Sequence, residues 1–368
     1  MTSADAEESH AGVPPPLHTL TMQDEGVLQV DGVMAHLPPS HDLWQLDWTS
    51  AVWSPLGKYF AVVRDDRRIA IVTAHKEVST AATDKKLREG GEVVCLFARR
   101  AEVSAPICMT FSMTDQFLAS AHTLGVWVDG VGENVRGSLT KMEIDASDGI
   151  SALAFNYPEI TYGWKYLLAM GGSHAQITLC NWMDGKFIRS VTPFEGRGDE
   201  IKSLAFSPRD ENLLACSSWG RVRLMKVDTL EVSHTYWLNQ SPPRPIQFTP
   251  MGDKIGIAGL HGAFHTIDMD MLESSGPHVW HSEMFAFAEP EDSMVVLAIA
   301  NRLMGRSLTT KGSSFVFVTS IKGVKKIERL FASGNKIMIL TDDREVCAFS
   351  IPGVDVEALF GDIKNAAS

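Results

Sequence analysis

The segment DEIKSLAFSPRDENLLACSSWGRVRLMKV, residues 199–227, sets the pattern for the whole chain. Ile201, Leu204 and Phe206 form an apolar run that stops at Ser207-Pro208-Arg209-Asp210, a cluster of turn-forming residues. NLLACSS and VRLMKV follow as two further apolar runs around a Ser-Trp-Gly turn. Short apolar runs bounded by turn signals predict strands, here a three-stranded meander. Such a meander cannot cover both of its own faces, so similar units are expected to recur and stack.

They recur when the aromatic that closes each first run is followed along the chain. Trp53, Phe111, Phe155, Phe206, Phe248, Phe287 and Phe331 each precede a turn and are spaced by 58, 44, 51, 42, 39 and 44 residues. A second run follows each anchor: KYFAVV, QFLASA, KYLLAMGG, NLLACSS, DKIGIAG, SMVVLAIA and NKIMILT. After a further turn comes a third: RIAIV, GVWV, ITLC, VRLMKV, AFHTID, SFVFV and EVCAF. A period near 40 to 45 residues with about four strands per unit is the signature of a β-propeller blade.

Over residues 43–351 the rhythm resembles that of the WD-repeat family, although no unit carries both a Gly-His opening and a Trp-Asp close. The fold expected is all-β, a single seven-bladed propeller. The segment GVLQVDG, residues 26–32, is expected to complete the last sheet and so remove the open edges of an unclosed array. The expected division is an acidic, Pro-containing tail at 1–17, the propeller at 18–353, and a tail at 354–368. In that last tail, Val356, Leu359, Phe360 and Ile363 have helical spacing. Residues 74–92 and the aromatic turn at 156–166 read as insertions on this scaffold.

Charge and cysteine content narrow the function. A formal net charge of −12 argues against a general nucleic-acid binder, whose affinity comes from clustered Lys and Arg. The five cysteines are far apart, odd in number and without CxxC spacing, as expected of reduced core residues in an intracellular protein. The first residues carry neither a basic nor an apolar leader region, and no apolar run reaches the roughly 18 residues of a membrane span.

No catalytic set emerges: GxSxG, P-loop and HExxH motifs are all missing from the sequence, and neither a cofactor nor a metal is expected. The pairs His261/His265 and His278/His281 fall in strand or loop context rather than on a helix, and Asp65-Asp66 and Asp342-Asp343 read as solvated turn residues. Aligned by unit, the turns between second and third strands present Asp65-Asp66-Arg67, His122, His174, Trp219-Gly220-Arg221, His261 and Asp342-Asp343-Arg344. In WD-repeat propellers these turns lie on the top face. The resemblance therefore implies a partner-binding rim containing Trp219, Arg221, His122, His174 and His261, with Tyr162 and Trp164 of the long turn as a second candidate. Two other readings stay open: the histidines as structural residues of their repeats, and Trp219 folded back onto its own unit.

The run at 151–218, with its long turn before YLLAMGG, its link into GDEI and its F-x-PRD-x-NLL phrase, resembles two blades of the extra sex combs/embryonic ectoderm development family. That family is the WD-repeat subunit of Polycomb repressive complex 2. The resemblance implies a non-catalytic scaffold for protein partners in a chromatin-associated assembly, a histone or a methyltransferase subunit among them, and a nuclear location. It also implies an aromatic cage for trimethyl-lysine, but Ser151 stands where one cage tyrosine belongs. Ser217-Ser218-Trp219 resembles instead the Ser-Ser-Trp-Asp turn of mitotic checkpoint and messenger-RNA export propellers, with Gly220 in place of the aspartate. That resemblance implies a peptide-capturing adaptor. Removing residues 1–16 should leave solubility unchanged, whereas removing residues 1–33 should expose a sheet edge and cause aggregation. Equal solubility of the two truncations would dismiss closure by the N-terminal strand.

Overall fold

In the computed structural model the residues described are 21–23, 27–29, 46–64, 69–73, 93–97, 106–131, 137–142, 149–157, 166–194, 199–238, 245–258, 263–279, 284–288, 294–308, 315–320, 325–333, 336–341 and 346–350. Their regular structure is all β. Six four-stranded antiparallel sheets succeed one another along the chain, within 46–97, 108–142, 150–191, 203–237, 246–279 and 284–320, and a three-stranded sheet follows within 327–350. Every sheet is a meander, its strands hydrogen-bonded in chain order. A separate hairpin pairs Thr21–Gln23 with Val27–Gln29, and the latter strand lies against Val346–Ser350 of the seventh sheet. Among the described residues no helix is long and apolar enough to cross a membrane.

The aromatic anchors do end or nearly end the first strand of each sheet, as in Leu46–Trp53, Cys108–Phe111, Ile150–Phe155, Ser203–Phe206 and Ile246–Phe248. The second runs are the second strands. One third strand differs from expectation. In the sixth sheet it is Arg302–Ser307, RLMGRS, and the apolar SFVFV belongs to the fourth strand, Phe315–Ser320. A run with Arg at both flanks and a central Gly reads poorly as a strand, yet its Leu303 is fully buried and Met304 packs on the neighbouring core. The insertion at 74–92, residues 158–165 of the aromatic turn, and both chain tails, 1–20 and 351–368, lie outside the described residues.

Both faces of the inner strands of the middle sheets are apolar because both are covered. In the fourth sheet Leu214, Cys216 and Met225 face a core shared with Leu167, Ile177 and Leu179 of the third. Ala215, Val222 and Leu224 face a core shared with Ile246, Ile255 and Ile257 of the fifth. Shared cores of the same kind join the first sheet to the second, the second to the third, the fifth to the sixth and the sixth to the seventh. First strands of successive sheets also lie side by side, from the first sheet through the fifth and again between sixth and seventh. Continuous apolar strands such as LLACSS and LLAMGG follow from this two-sided burial.

A polar hook repeats beneath the anchors. Ser54, Ser112, Asn156 and Thr249 directly follow an anchor aromatic and are buried. Their side-chain oxygens accept the backbone N–H of Tyr59, Phe117, Leu167 and Lys254 at 2.9, 3.1, 2.9 and 3.1 Å, and each residue's own N–H returns to the carbonyl of that same partner. Ser207 instead accepts from Arg209 and Asp210. The hook satisfies donors that the turn would otherwise strand in the interior. Between the second and first sheets it gains a clamp: the buried Asp115 accepts from Ser54 Oγ at 2.7 Å, Leu56 N at 2.9 Å and Lys58 N at 3.3 Å. Burial pushes the Asp115 carboxyl above its ordinary value, against the pull of those donors.

Every four-stranded sheet also has a register shift between its third and fourth strands, for example between Leu179 and Cys180, Leu224 and Met225, and Gly305 and Arg306. Such bulges add local twist, which turns the outer strand away from the plane of the inner ones. Elsewhere sheets approach so closely that only glycine fits. A Cβ on Gly171 would stand 2.4 Å from Ile201 Cγ2, and one on Gly256 would stand 2.5 Å from the Phe287 ring. Gly171→Ala should therefore cost about 1–3 kcal/mol in chemical denaturation. In the double variant Gly171→Ala/Ile201→Ala the losses should be less than additive. Simple additivity would mean that the contact is not the cause.

Candidate partner-binding surface

Turns between first and second strands meet across neighbouring sheets: Asp115 bonds to the first sheet's turn, and Gly252 packs on Pro208 and Arg209 of the fourth. The turns between second and third strands stand at the opposite end, since strands alternate in direction. The most developed of them belongs to the fourth sheet. Ser218 and Arg221 pair directly, leaving Trp219-Gly220 as a two-residue connection. Gly220 has φ +62°, and its carbonyl accepts the N–H of Leu238 at 2.7 Å, tying the turn to the end of the outer strand. Only glycine takes this backbone without strain. The Trp219 indole is 56% exposed and makes no ring contact or hydrogen bond among the described residues.

The face of this sheet toward the third is ordered by cross-strand pairing. Ser218, Arg221 and Trp237 form one row across the second, third and fourth strands, and Cys216, Arg223 and Thr235 form the next. Trp237 is 73% exposed. The Arg221 guanidinium stands over the rings of Phe194 at 5.2 Å and Trp237 at 5.4 Å, and its Nη2 forms an ion pair with Asp199 Oδ2. Arg223 stacks on the same Phe194 ring at 4.8 Å. Among the described residues, its Nε and the hydroxyls of Ser217 and Ser218 are buried without a hydrogen-bond partner.

Of the residues singled out from sequence, Trp219 and Arg221 lie together here, but Arg221 is committed to Asp199 and two aromatic rings and acts as a strut for Trp237. His174 sits exposed in the corresponding turn of the third sheet. His122 does not belong to a surface. It is buried, shares a hydrogen bond with Ser120 at 3.1 Å, and stands edge-on to Trp127 at 4.8 Å. The tip of its turn is instead Thr123-Leu124, with Leu124 exposed. His261, Tyr162, Trp164, Asp65-Asp66-Arg67 and Asp342-Asp343-Arg344 lie outside the described residues. Tyr157 and Tyr166 flank the long turn. Tyr157 packs on the core between the third and fourth sheets, with burial pushing its phenol up to about 12, and Tyr166 sets its ring edge-on to Trp182 at 5.3 Å.

Sequence reasoning does not single out Trp237, Phe194 or Asp199. The signal that finds Trp237 is register: an outer strand VSHTYW placed beside VRLMKV sets an aromatic opposite Arg221. Phe194 and Asp199 belong to the connection between sheets and carry no comparable pattern.

Other chemistry is sparse. Burial pushes the thiols of Cys108 and Cys216 up to about 12 and that of Cys180 up to about 11, so none is a ready nucleophile at neutral pH. Among the described residues no three His, Cys, Asp or Glu side chains are arranged to hold a metal ion.

A model of the WD domain, G-beta repeat, matches residues 185–225. The matched segment takes in the outer strand of the third sheet, Lys186–Val191, and nearly all of the first three strands of the fourth, so repeat and sheet are offset by one strand. No curated protein matches the chain. The chain thus contains a WD repeat within an all-β array of blade-like sheets. WD-repeat domains are in general non-catalytic scaffolds that bind protein partners or peptides, and the match says nothing of a Polycomb subunit. Asp199→Asn should destabilise the fold by about 3 kcal/mol, because it leaves the mostly buried Arg221 charge uncompensated. Equilibrium unfolding that shows no change would mean that solvent, not Asp199, stabilises that guanidinium.

Proposed function

We propose that this chain is a non-catalytic, seven-bladed propeller of the WD-repeat type, closed near its N-terminal strand, that holds a partner protein against the end of the fourth sheet bearing Trp219 and Trp237. Support for the ring comes from the succession of seven sheets, the cores shared between neighbours, and the contact of Val27–Gln29 with Val346–Ser350. The observation that carries the binding reading is the pair of exposed indoles at one sheet end, one of them held by a buried Arg–Asp pair. Large exposed aromatics beside Arg have the composition of binding hot spots. His174, exposed in the neighbouring turn, extends the same rim.

For the assembly it serves, the phrase at residues 151–218 favours a chromatin-modifying complex of the Polycomb kind, although Ser151, whose hydroxyl donates to Ile201 O at 2.7 Å, offers no ring to a methyl-lysine cage. The solvent-exposed indole of the Ser-Ser-Trp turn favours a peptide-capturing adaptor. Affinity purification with mass spectrometry separates the two, through co-purification of a methyltransferase-like subunit or of nuclear-pore and checkpoint proteins. With the principal partner in hand, Trp219→Ala should leave the melting temperature nearly unchanged and weaken binding by roughly 2 kcal/mol, about thirtyfold. Lost stability with unchanged affinity would assign Trp219 to its own blade and overturn the reading.

A further inference from the structure

Arg223 shares the Phe194 ring with Arg221 but not its carboxylate. The two guanidiniums each stand within about 5 Å of the Phe194 ring centre, so they lie within about 10 Å of each other. One carboxylate, Asp199, serves Arg221. Among the described residues no carboxylate forms an ion pair with Arg223, and its buried Nε has no acceptor. One row along, on the same face, the fully buried Ser218 hydroxyl also lacks a partner among the described residues. A sequestered guanidinium nitrogen and a buried hydroxyl, both unsatisfied, carry a desolvation penalty that folded proteins rarely leave standing. Both groups can donate to an oxygen anion, and the guanidinium fork matches the geometry of carboxylate and phosphate oxygens.

We propose that Arg223 and Ser218, beside the Phe194 ring, form an oxyanion subsite that accepts a carboxylate or phosphate group of a bound peptide segment. The proposal rests on the reading of this sheet end as a partner-binding surface, and it assigns the chemistry of what binds there. The chain's overall charge of −12 repels an anionic segment at long range. Selectivity therefore has to come from short-range donors in a partly desolvated place, which is what this row of residues supplies. Trp219 and Trp237 beside the subsite suit an apolar or aromatic neighbour of the anionic residue in the peptide.

The test uses the full chain and three pools of fluorescein-labelled peptides, random except for a central glutamate, phosphoserine or glutamine, read by anisotropy. The wild-type chain should bind the glutamate or the phosphoserine pool about tenfold tighter than the glutamine pool, and whichever is preferred identifies the source of the anion. Arg223→Met should erase that preference, and Arg223→Lys, which keeps the charge without the fork, should retain part of it. Trp219→Ala should weaken all three pools in proportion and keep the preference. Equal binding of the three pools by the wild-type chain, or a preference that survives Arg223→Met, would overturn the subsite. A preference lost with Arg223 but pools indifferent to Trp219 would instead overturn the indole-centred reading and leave the subsite standing. Because Arg223→Met removes an unsatisfied buried group, the free protein's melting temperature should hold or rise. A fall of more than about 5 °C would make Arg223 a structural residue and refute the proposal.

Discussion

The second to sixth sheets of this protein depend on burial of both faces of their inner strands by the sheets on either side. A four-stranded meander with Leu214, Cys216 and Met225 on one face and Ala215, Val222 and Leu224 on the other has no stable existence in water by itself. Its neighbours supply the missing surfaces, and they in turn need theirs. Stability is thus distributed as a series of interfaces rather than a single centre, as in other stacked repeats. The glycines at 171 and 256 show how close the approach becomes, since a single methyl group would meet Ile201, just ahead of the fourth sheet, at the first and the sixth sheet's Phe285 and Phe287 at the second.

Apolar packing alone would leave the sheets free to slide along one another. The Asp115 clamp limits that freedom between the first two sheets, and the polar hooks beneath the anchor aromatics fix the turn within each of their own sheets, because a hydrogen bond inside a low-dielectric interior is satisfied in one register only. The same division of labour holds at the opposite end of the fourth sheet. There the Asp199–Arg221 pair and the stacked rings of Phe194 and Trp237 hold a rigid frame. Trp219 is left uncommitted within that frame, and Arg223, though stacked on Phe194, forms no ion pair among the described residues. Rigid surroundings lower the ordering cost of binding, so uncommitted groups placed in them are effective contacts.

Most of the strand order was legible in the sequence because two-sided burial writes itself as continuous apolar runs, and an aromatic followed by Ser, Thr or Asn marks the turn that ends a first strand. The outer strands were harder to read for the converse reason. KFIRSV and VSHTYW are largely exposed, so no core imposes a pattern on them. RLMGRS hides a buried Leu303 between arginines. In the binding region, the Ser-Trp-Gly turn announced Trp219 and Arg221, whereas the commitment of Arg221 to Asp199 is a contact across 22 residues that no local pattern encodes. His122 shows the limit most plainly: a histidine at a turn looks accessible in one dimension, and only the packing of Trp127 against it reveals that it is interior.

The one-strand offset between the matched repeat and the sheets bears on how such a chain can grow or shrink over evolutionary time. A sequence unit that opens with the outer strand of one sheet and closes with the third strand of the next straddles a boundary, so it is not a separable module of the folded molecule. Duplicating or losing one such unit splices an outer strand to inner strands already waiting for one. The number of sheets changes while each remaining sheet keeps its full complement of strands, so recombination at repeat boundaries avoids passing through an intermediate with a naked sheet edge.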